Sequence, residues 1–122
     1  LQKRFICLHN YYFFFFLTGS FANKIWPAEN PNPVRKETDT VTLKCSYETN
    51  SDYIYLYWYK QNPNSTPQLL LYKGARSNSY ASTPTDTRLE TETTGDSTEL
   101  TIRGLKLSDS ALYHCALRVT AQ

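Results

Sequence analysis

Residues Tyr53–Gln61 read Tyr-Ile-Tyr-Leu-Tyr-Trp-Tyr-Lys-Gln, a run with a period of two. A helix would scatter these side chains around its axis, whereas an extended strand sorts them onto two faces. Ile54, Leu56 and Trp58 fall on one face; Tyr53, Tyr55, Tyr57, Tyr59 and Gln61 fall on the other. The first face is wholly apolar and belongs in a core. The second is broad and amphipathic, with hydroxyls that can stay wet, and suits a protein partner. A plainer reading stays open, in which the tyrosines only shield neighbouring strands. A strand with two such faces points to a sandwich whose outer surface docks something.

The rest of the composition narrows the classes. The length of 122 residues allows one domain. Lys and Arg number 13 against 11 Asp and Glu, a net charge of +2, and they form no run. That balance gives no electrostatic footprint for nucleic acid. The three cysteines include no Cys-x-x-Cys pair, and only His9 and His114 could assist them. No zinc site, other metal site or cofactor is therefore expected.

The amino-terminal part reads as a secretory leader over residues 1–22. Lys3 and Arg4 form the positive start, residues 5–17 the apolar segment, and Ser20-Phe21-Ala22 the small-residue cleavage pattern. The alternative is a membrane anchor, but His9 and Asn10 interrupt a run already short of the roughly 20 residues a bilayer needs. The missing initiator Met implies that the leader begins upstream. Cleavage after Ala22 would remove Cys7 and leave Cys45 and Cys115, an even pair in an oxidising compartment.

After the leader, Pro27, Pro31 and Pro33 make residues 23–36 an edge strand with breaks. Residues 41–47 alternate cleanly, with Val41, Leu43, Cys45 and Tyr47 inward. Residues 62–67 form a turn rich in Asn, Ser and Pro. Residues 68–73, 88–94, 98–103 and 111–117 read as further strands, with Leu100 and Ile102 inward. No helical period exceeds one turn. Short strands separated by turn signals indicate an all-β sandwich.

Cys45 and Cys115 stand about 70 residues apart, and Trp58 follows the first by roughly a dozen. The run Asp109-Ser110-Ala111-Leu112-Tyr113-His114-Cys115 carries the pattern D-x-A-x-Y-x-C. Together these residues resemble an immunoglobulin variable-type domain. Trp58-Tyr59-Lys60-Gln61, residues 67–74, Thr98-Glu99-Leu100-Thr101-Ile102 and Cys115-Ala116-Leu117 resemble a T-cell receptor variable segment of alpha/delta type. The resemblance covers residues 41–118 well and 23–36 poorly.

The resemblance implies a Greek-key sandwich over residues 23–122, with a Cys45–Cys115 disulfide packed on Trp58. Closing so long a loop would stabilise by roughly 4 kcal/mol in the chain-entropy model. It also implies a tyrosine corner at Tyr113 and an ion pair between Arg88 and Asp109. Three antigen-contacting loops would span residues 49–55, residues 73–78 and the stretch beginning at Ala116. Tyr53, Tyr55, Arg76 and Arg118 are the expected contacts, because Tyr and Arg dominate such surfaces. Gln61 matches the glutamine that bonds its counterpart in a paired domain, with Tyr57, Tyr59, Pro67 and Leu70 adding apolar area. His114 departs from the usual Tyr or Phe and points to the same face, as an uncharged spacer or a pH-sensitive group. Asn64-Ser65-Thr66 is an N-glycosylation acceptor away from the binding loops.

No F-G-x-G run follows Cys115, so the final strand of the sandwich is expected to be missing, as in an unrearranged germline segment. The function implied is one half of a heterodimeric receptor at the plasma membrane, extracellular side. Its partners would be a beta (or gamma) chain, peptide presented by a major histocompatibility molecule, and signalling subunits reached through an absent constant and transmembrane region. Two other binding classes remain. A non-rearranging innate or adhesion receptor would continue into a stalk and membrane helix, and an immunoglobulin light chain into a soluble constant domain. An enzyme is not expected, since no Ser/His/Asp, Cys/His or paired-carboxylate arrangement is present.

Overall fold

Val41, Leu43, Cys45 and Tyr47 are buried while Thr42, Ser46 and Glu48 face outward, as their period of two requires. The same rule sinks Ile54, Leu56 and Trp58 to zero exposure. The computed structural model describes residues 5–13 as backbone, and residues 23–28 and 33–119 in full. The strands are β1 (Phe5–Phe13), β2 (Lys24–Pro27), β3 (Val34–Lys36), β4 (Val41–Glu48), β5 (Tyr53–Gln61), β6 (Gln68–Arg76), β7 (Leu89–Thr93), β8 (Ser97–Ile102) and β9 (Ala111–Val119). A 3₁₀ turn covers Leu107–Asp109.

Two sheets face each other, in the orders β3-β1-β9-β5-β6 and β2-β4-β8-β7. Cys45 on β4 and Cys115 on β9 are joined by a disulfide between the sheets, as the resemblance implied. Trp58 lies beside it, because β5 pairs with β9 in the register Trp58↔Cys115. Its indole N–H donates to Thr98 Oγ1 at 3.1 Å, and Thr98 pairs with Cys45 across β4 and β8. Both groups are fully buried, so each supplies the partner the other needs.

The described parts of residues 23–36 form two short strands: Pro27 closes β2, Pro33 precedes β3, and Pro31 lies outside the described residues. Two boundaries differ from expectation. β5 begins at Tyr53, as its period of two predicts, but β6 runs on to Arg76, into the expected second loop. β9 continues through Ala116 to Val119, paired with Tyr57 to Ile54, so the third loop does not begin at Ala116. Pairing across β5 holds these residues extended where the sequence alone shows no boundary.

The outer flank of β9, expected to be open, is filled by residues 5–13. β1 runs parallel to β9 from Leu8↔Ala111 to Phe13↔Ala116 and antiparallel to β3 from Phe5↔Lys36 to Cys7↔Val34. An unpaired strand edge seeks backbone partners, and an apolar extended segment can supply them. The expected cleavage positions Ser20, Phe21 and Ala22 lie outside the described residues.

A chain trimmed to residues 23–122 loses β1 and leaves β9 with an open edge. Each buried donor left unpaired costs about 1–3 kcal/mol. Appending a strand with the F-G-x-G pattern should raise its melting temperature by at least about 5 °C. Equal melting of the two chains in a thermal scan would show that β9 needs no further partner.

Candidate binding face and loops

The outward side chains of β5 meet those of β6 to form one aromatic surface. Tyr57 stacks on Tyr72 with ring centroids 4.8 Å apart and planes at 16°. Tyr59 stacks beside Tyr57 at 6.3 Å. Tyr55 stands edge-on to Tyr53, Tyr72 and Tyr80 at 5.9, 6.0 and 6.4 Å. Such pairs contribute roughly 0.5–1.5 kcal/mol beyond the area they bury. Tyr72 was not singled out in the sequence, although its alternation with Leu71 could have placed it on this face. Tyr80 was not legible, because it lies outside the regular strands, beside the isolated bridge Lys73↔Ala81.

At the lower end of this face Gln61 and His114 form a pair. Gln61 Oε1 lies 2.8 Å from His114 Nε2, and Gln61 Nε2 donates to Ser65 O at 2.9 Å. An amide carries two donors and two lone pairs. The pose therefore still leaves Gln61 capacity for a cross-domain bond. His114 is buried, and burial lowers its pKa. Burial likewise raises the Tyr59 pKa, followed by the effect of Tyr57.

The expectation for Leu70 needs correcting. β5 and β6 slip register between Trp58↔Leu71 and Tyr59↔Leu69, so Leu70 is the extra residue of a bulge. Leu70 turns to pack against the core, and Leu69 stands opposite Tyr59 with 49% exposure. A bulge shifts the alternation by one, which three successive leucines conceal. Pro67 is exposed just before β6.

Among the expected loop contacts, the structure brings Tyr53, Tyr55 and Arg118 together. The Arg118 guanidinium sits 5.7 Å from the Tyr55 ring centre and donates to the Tyr57 hydroxyl at 3.1 Å. Arg76 is turned away from them, toward Tyr47 and the turn at Gly95.

The opposite end is organised by Asp109. Arg88 donates to both its oxygens, at 2.8 and 3.0 Å, and also to Asp86 at 3.0 Å. Burial alone would raise the Asp109 pKa, but the Arg88 guanidinium and the Lys106 N–H outweigh it and hold it low. The same contacts raise Arg88. The Tyr113 hydroxyl donates to Asp109 O at 2.7 Å, which forms the expected corner; burial raises its pKa. Asn64 is exposed in the turn after β5, at the end of that strand away from residues 49–52. It takes φ 60°, a left-handed conformation that Asn tolerates. Among the described residues no group of His, Cys, Asp and Glu could hold a metal ion. No helix among them is long and apolar enough to cross a membrane.

A variable-type sandwich with its inter-sheet bridge, indole and tyrosine corner in place is the frame against which the comparisons stand. The immunoglobulin V-set domain profile matches residues 29–122, and the chain belongs to that family. The family is non-enzymatic in general. Human T cell receptor alpha variable 14/delta variable 4 is 34% identical over 97 residues, 80% of this chain and 82% of its own length. Human T cell receptor alpha variable 38-2/delta variable 8 is 35% identical over 85 residues, covering 68% and 71%. The rabbit Ig kappa chain V region K-25 is 38% identical over 76 residues, 62% of this chain. The chain spans 66% of that rabbit relative's length.

Two outcomes follow from the titrating groups. Arg88→Met strands a buried carboxylate, and breaking such a pair costs about 3–5 kcal/mol. Because Arg88 is partly exposed, a loss of about 2–4 kcal/mol is expected in urea unfolding at pH 7. An unchanged midpoint would mean that Asp109 is held by its backbone contacts alone.

His114 has a lowered pKa in the folded chain. Below roughly pH 6.5 the unfolded chain therefore takes up this proton first, and stability falls with pH until the folded group titrates too. His114→Phe should shrink the difference between urea midpoints at pH 7.5 and 5.5. If the difference is the same as in the parent chain, His114 does not titrate in this window.

Proposed function

We propose that this chain is the variable segment of a T-cell receptor alpha or delta chain. It pairs through the tyrosine face with a beta (or gamma) variable domain. The loops around residues 49–52 and 77–79, with the stretch after Val119, then meet peptide held by a major histocompatibility molecule. Alpha/delta relatives that align over up to 80% of the chain support this class. The observation that carries the pairing is the continuous outer face of Tyr57, Tyr59, Tyr72 and Leu69 beside Gln61. Aromatic, half-buried surface of this kind is enriched at interface cores. Tyr53, Tyr55 and Arg118 are the proposed ligand contacts, and signalling subunits would be engaged by segments outside these residues. Such a receptor works on the extracellular side of the plasma membrane after residues 1–22 are removed. Asn64 is the proposed glycan site, exposed and away from the loops.

A light-chain reading draws on the rabbit kappa relative, whose identity is 38% over a shorter stretch. The two readings differ in partner. A beta-type variable domain should co-purify with this chain, and a heavy-chain variable domain should not. Gln61→Ala and Tyr59→Ala should each weaken the beta-type pairing at least about fivefold while leaving the melting temperature near the parent value. Unchanged co-purification in both variants would move the partner off the tyrosine face. Preference for the heavy-chain domain would favour the light-chain reading.

A further inference from the structure

Arg76 lies at the end of β6 with φ 61°, a backbone conformation that L side chains rarely adopt. Its side chain crosses from one sheet toward the other. Nη1 donates to Thr49 O at 2.7 Å and to Ser51 O at 2.6 Å. Nε and Nη2 both donate to Gly95 O, at 3.1 and 2.8 Å. Four of the guanidinium's five N–H groups thus meet three main-chain carbonyls. The guanidinium also lies 5.4 Å from the ring centre of Tyr47, which is buried and donates to Thr94 O.

These carbonyls belong to two segments that lie just beyond the end of the β4–β8 pairing at Ser46↔Ser97. Thr49 and Ser51 lie between β4 and β5, and Gly95 lies between β7 and β8. Arg76 itself ends the strand leading into the second loop. From this geometry we infer that Arg76 is a positioning residue: it clasps the 49–52 loop, the 76–78 segment and the 94–96 turn into one rigid unit. The clasp needs a planar fork of fixed geometry, which lysine lacks. It explains why a disfavoured φ persists at a residue other than glycine, since the surrounding bonds over-determine it. A loop pair held this way meets a ligand with its ordering cost already met in the free domain. The clasp itself rests on the fold alone and holds whatever ligand the loops engage.

The test is residue-resolved amide exchange on the full chain, comparing the parent with Arg76→Gly and Arg76→Asn. Both replacements tolerate the left-handed backbone, so they remove the clasp without adding backbone strain. Two amides report on the unit: Ser77 N–H, which donates to Asp52 O, and Tyr47 N–H, which donates to Asp96 O. Both should exchange at least about tenfold faster in the variants, as expected for local opening. The amides of Leu100 and Cys115 should keep their protection. Ethylguanidinium at low millimolar concentration should partly restore Ser77 and Tyr47 in Arg76→Gly, while sodium at the same ionic strength should not. Unchanged protection at Ser77 and Tyr47 in both variants would overturn the inference. So would a uniform loss that includes Leu100 and Cys115, because Arg76 would then support the whole fold and not this unit.

Discussion

The bridge between Cys45 and Cys115, with Trp58 against it, sets the geometry of the whole chain. It forces the two cysteine-bearing strands to point their side chains toward one another from separate sheets. The register then decides which side of each strand is inside. Once Trp58 is inward, Tyr57 and Tyr59 must be outward, because alternation permits nothing else. The outward tyrosine face is therefore a consequence of the core. A one-residue slip of β5 would bury the tyrosines and expose the indole. The bond from Trp58 to Thr98 guards that register, since its loss would leave a buried donor and a buried hydroxyl unpaired.

Each end of the sandwich is finished by an arginine, with different chemistry. At the lower end Arg88 faces carboxylates, and the gain is electrostatic as well as geometric. Asp109 there serves three partners: its Oδ2 accepts from both Arg88 and the Lys106 N–H, its Oδ1 accepts from Arg88, and its carbonyl accepts from Tyr113. At the loop end Arg76 faces neutral carbonyls and an aromatic ring. A charge-assisted bond to a carbonyl does not titrate on the acceptor side. The Arg76 contacts are thus insulated from acid in a way the Asp109 pair is not, where protonation of the carboxylate weakens it.

Much of this was legible in the sequence. The period of two in residues 41–47 and 53–61 gave the inward set without error, and the Cys-Trp-Cys frame with D-x-A-x-Y-x-C located the bridge and the corner. Those features are local or have fixed spacing. What was missed depends on pairing between distant segments. The bulge that exchanges Leu70 for Leu69 exists only in the register of β6 against β5. Arg76 reads as a loop arginine until its acceptors are seen, and they lie 25 and 27 residues before it and 19 after it. Tyr80 joins the aromatic surface from a segment with no period at all. The position of β1 on β9 could not be anticipated from a stretch whose composition reads as a leader.

His114 changes how the tyrosine face, the proposed pairing surface, is held together. A phenyl ring there would only add area. The imidazole instead engages the amide of Gln61, whose other end is tied to Ser65 O. A glutamine on an open sheet face normally samples several rotamers and loses that freedom on binding. Here the two internal bonds select one pose before any partner arrives. A partner on the proposed surface would meet an amide whose remaining donor and lone pair have fixed directions. That lowers the ordering cost of association but narrows the geometries that fit. The same two bonds join β9 and the turn at Asn64 to the lower end of the face. As the proposed pairing surface, the face would be less tolerant of a shifted partner than its tyrosines alone.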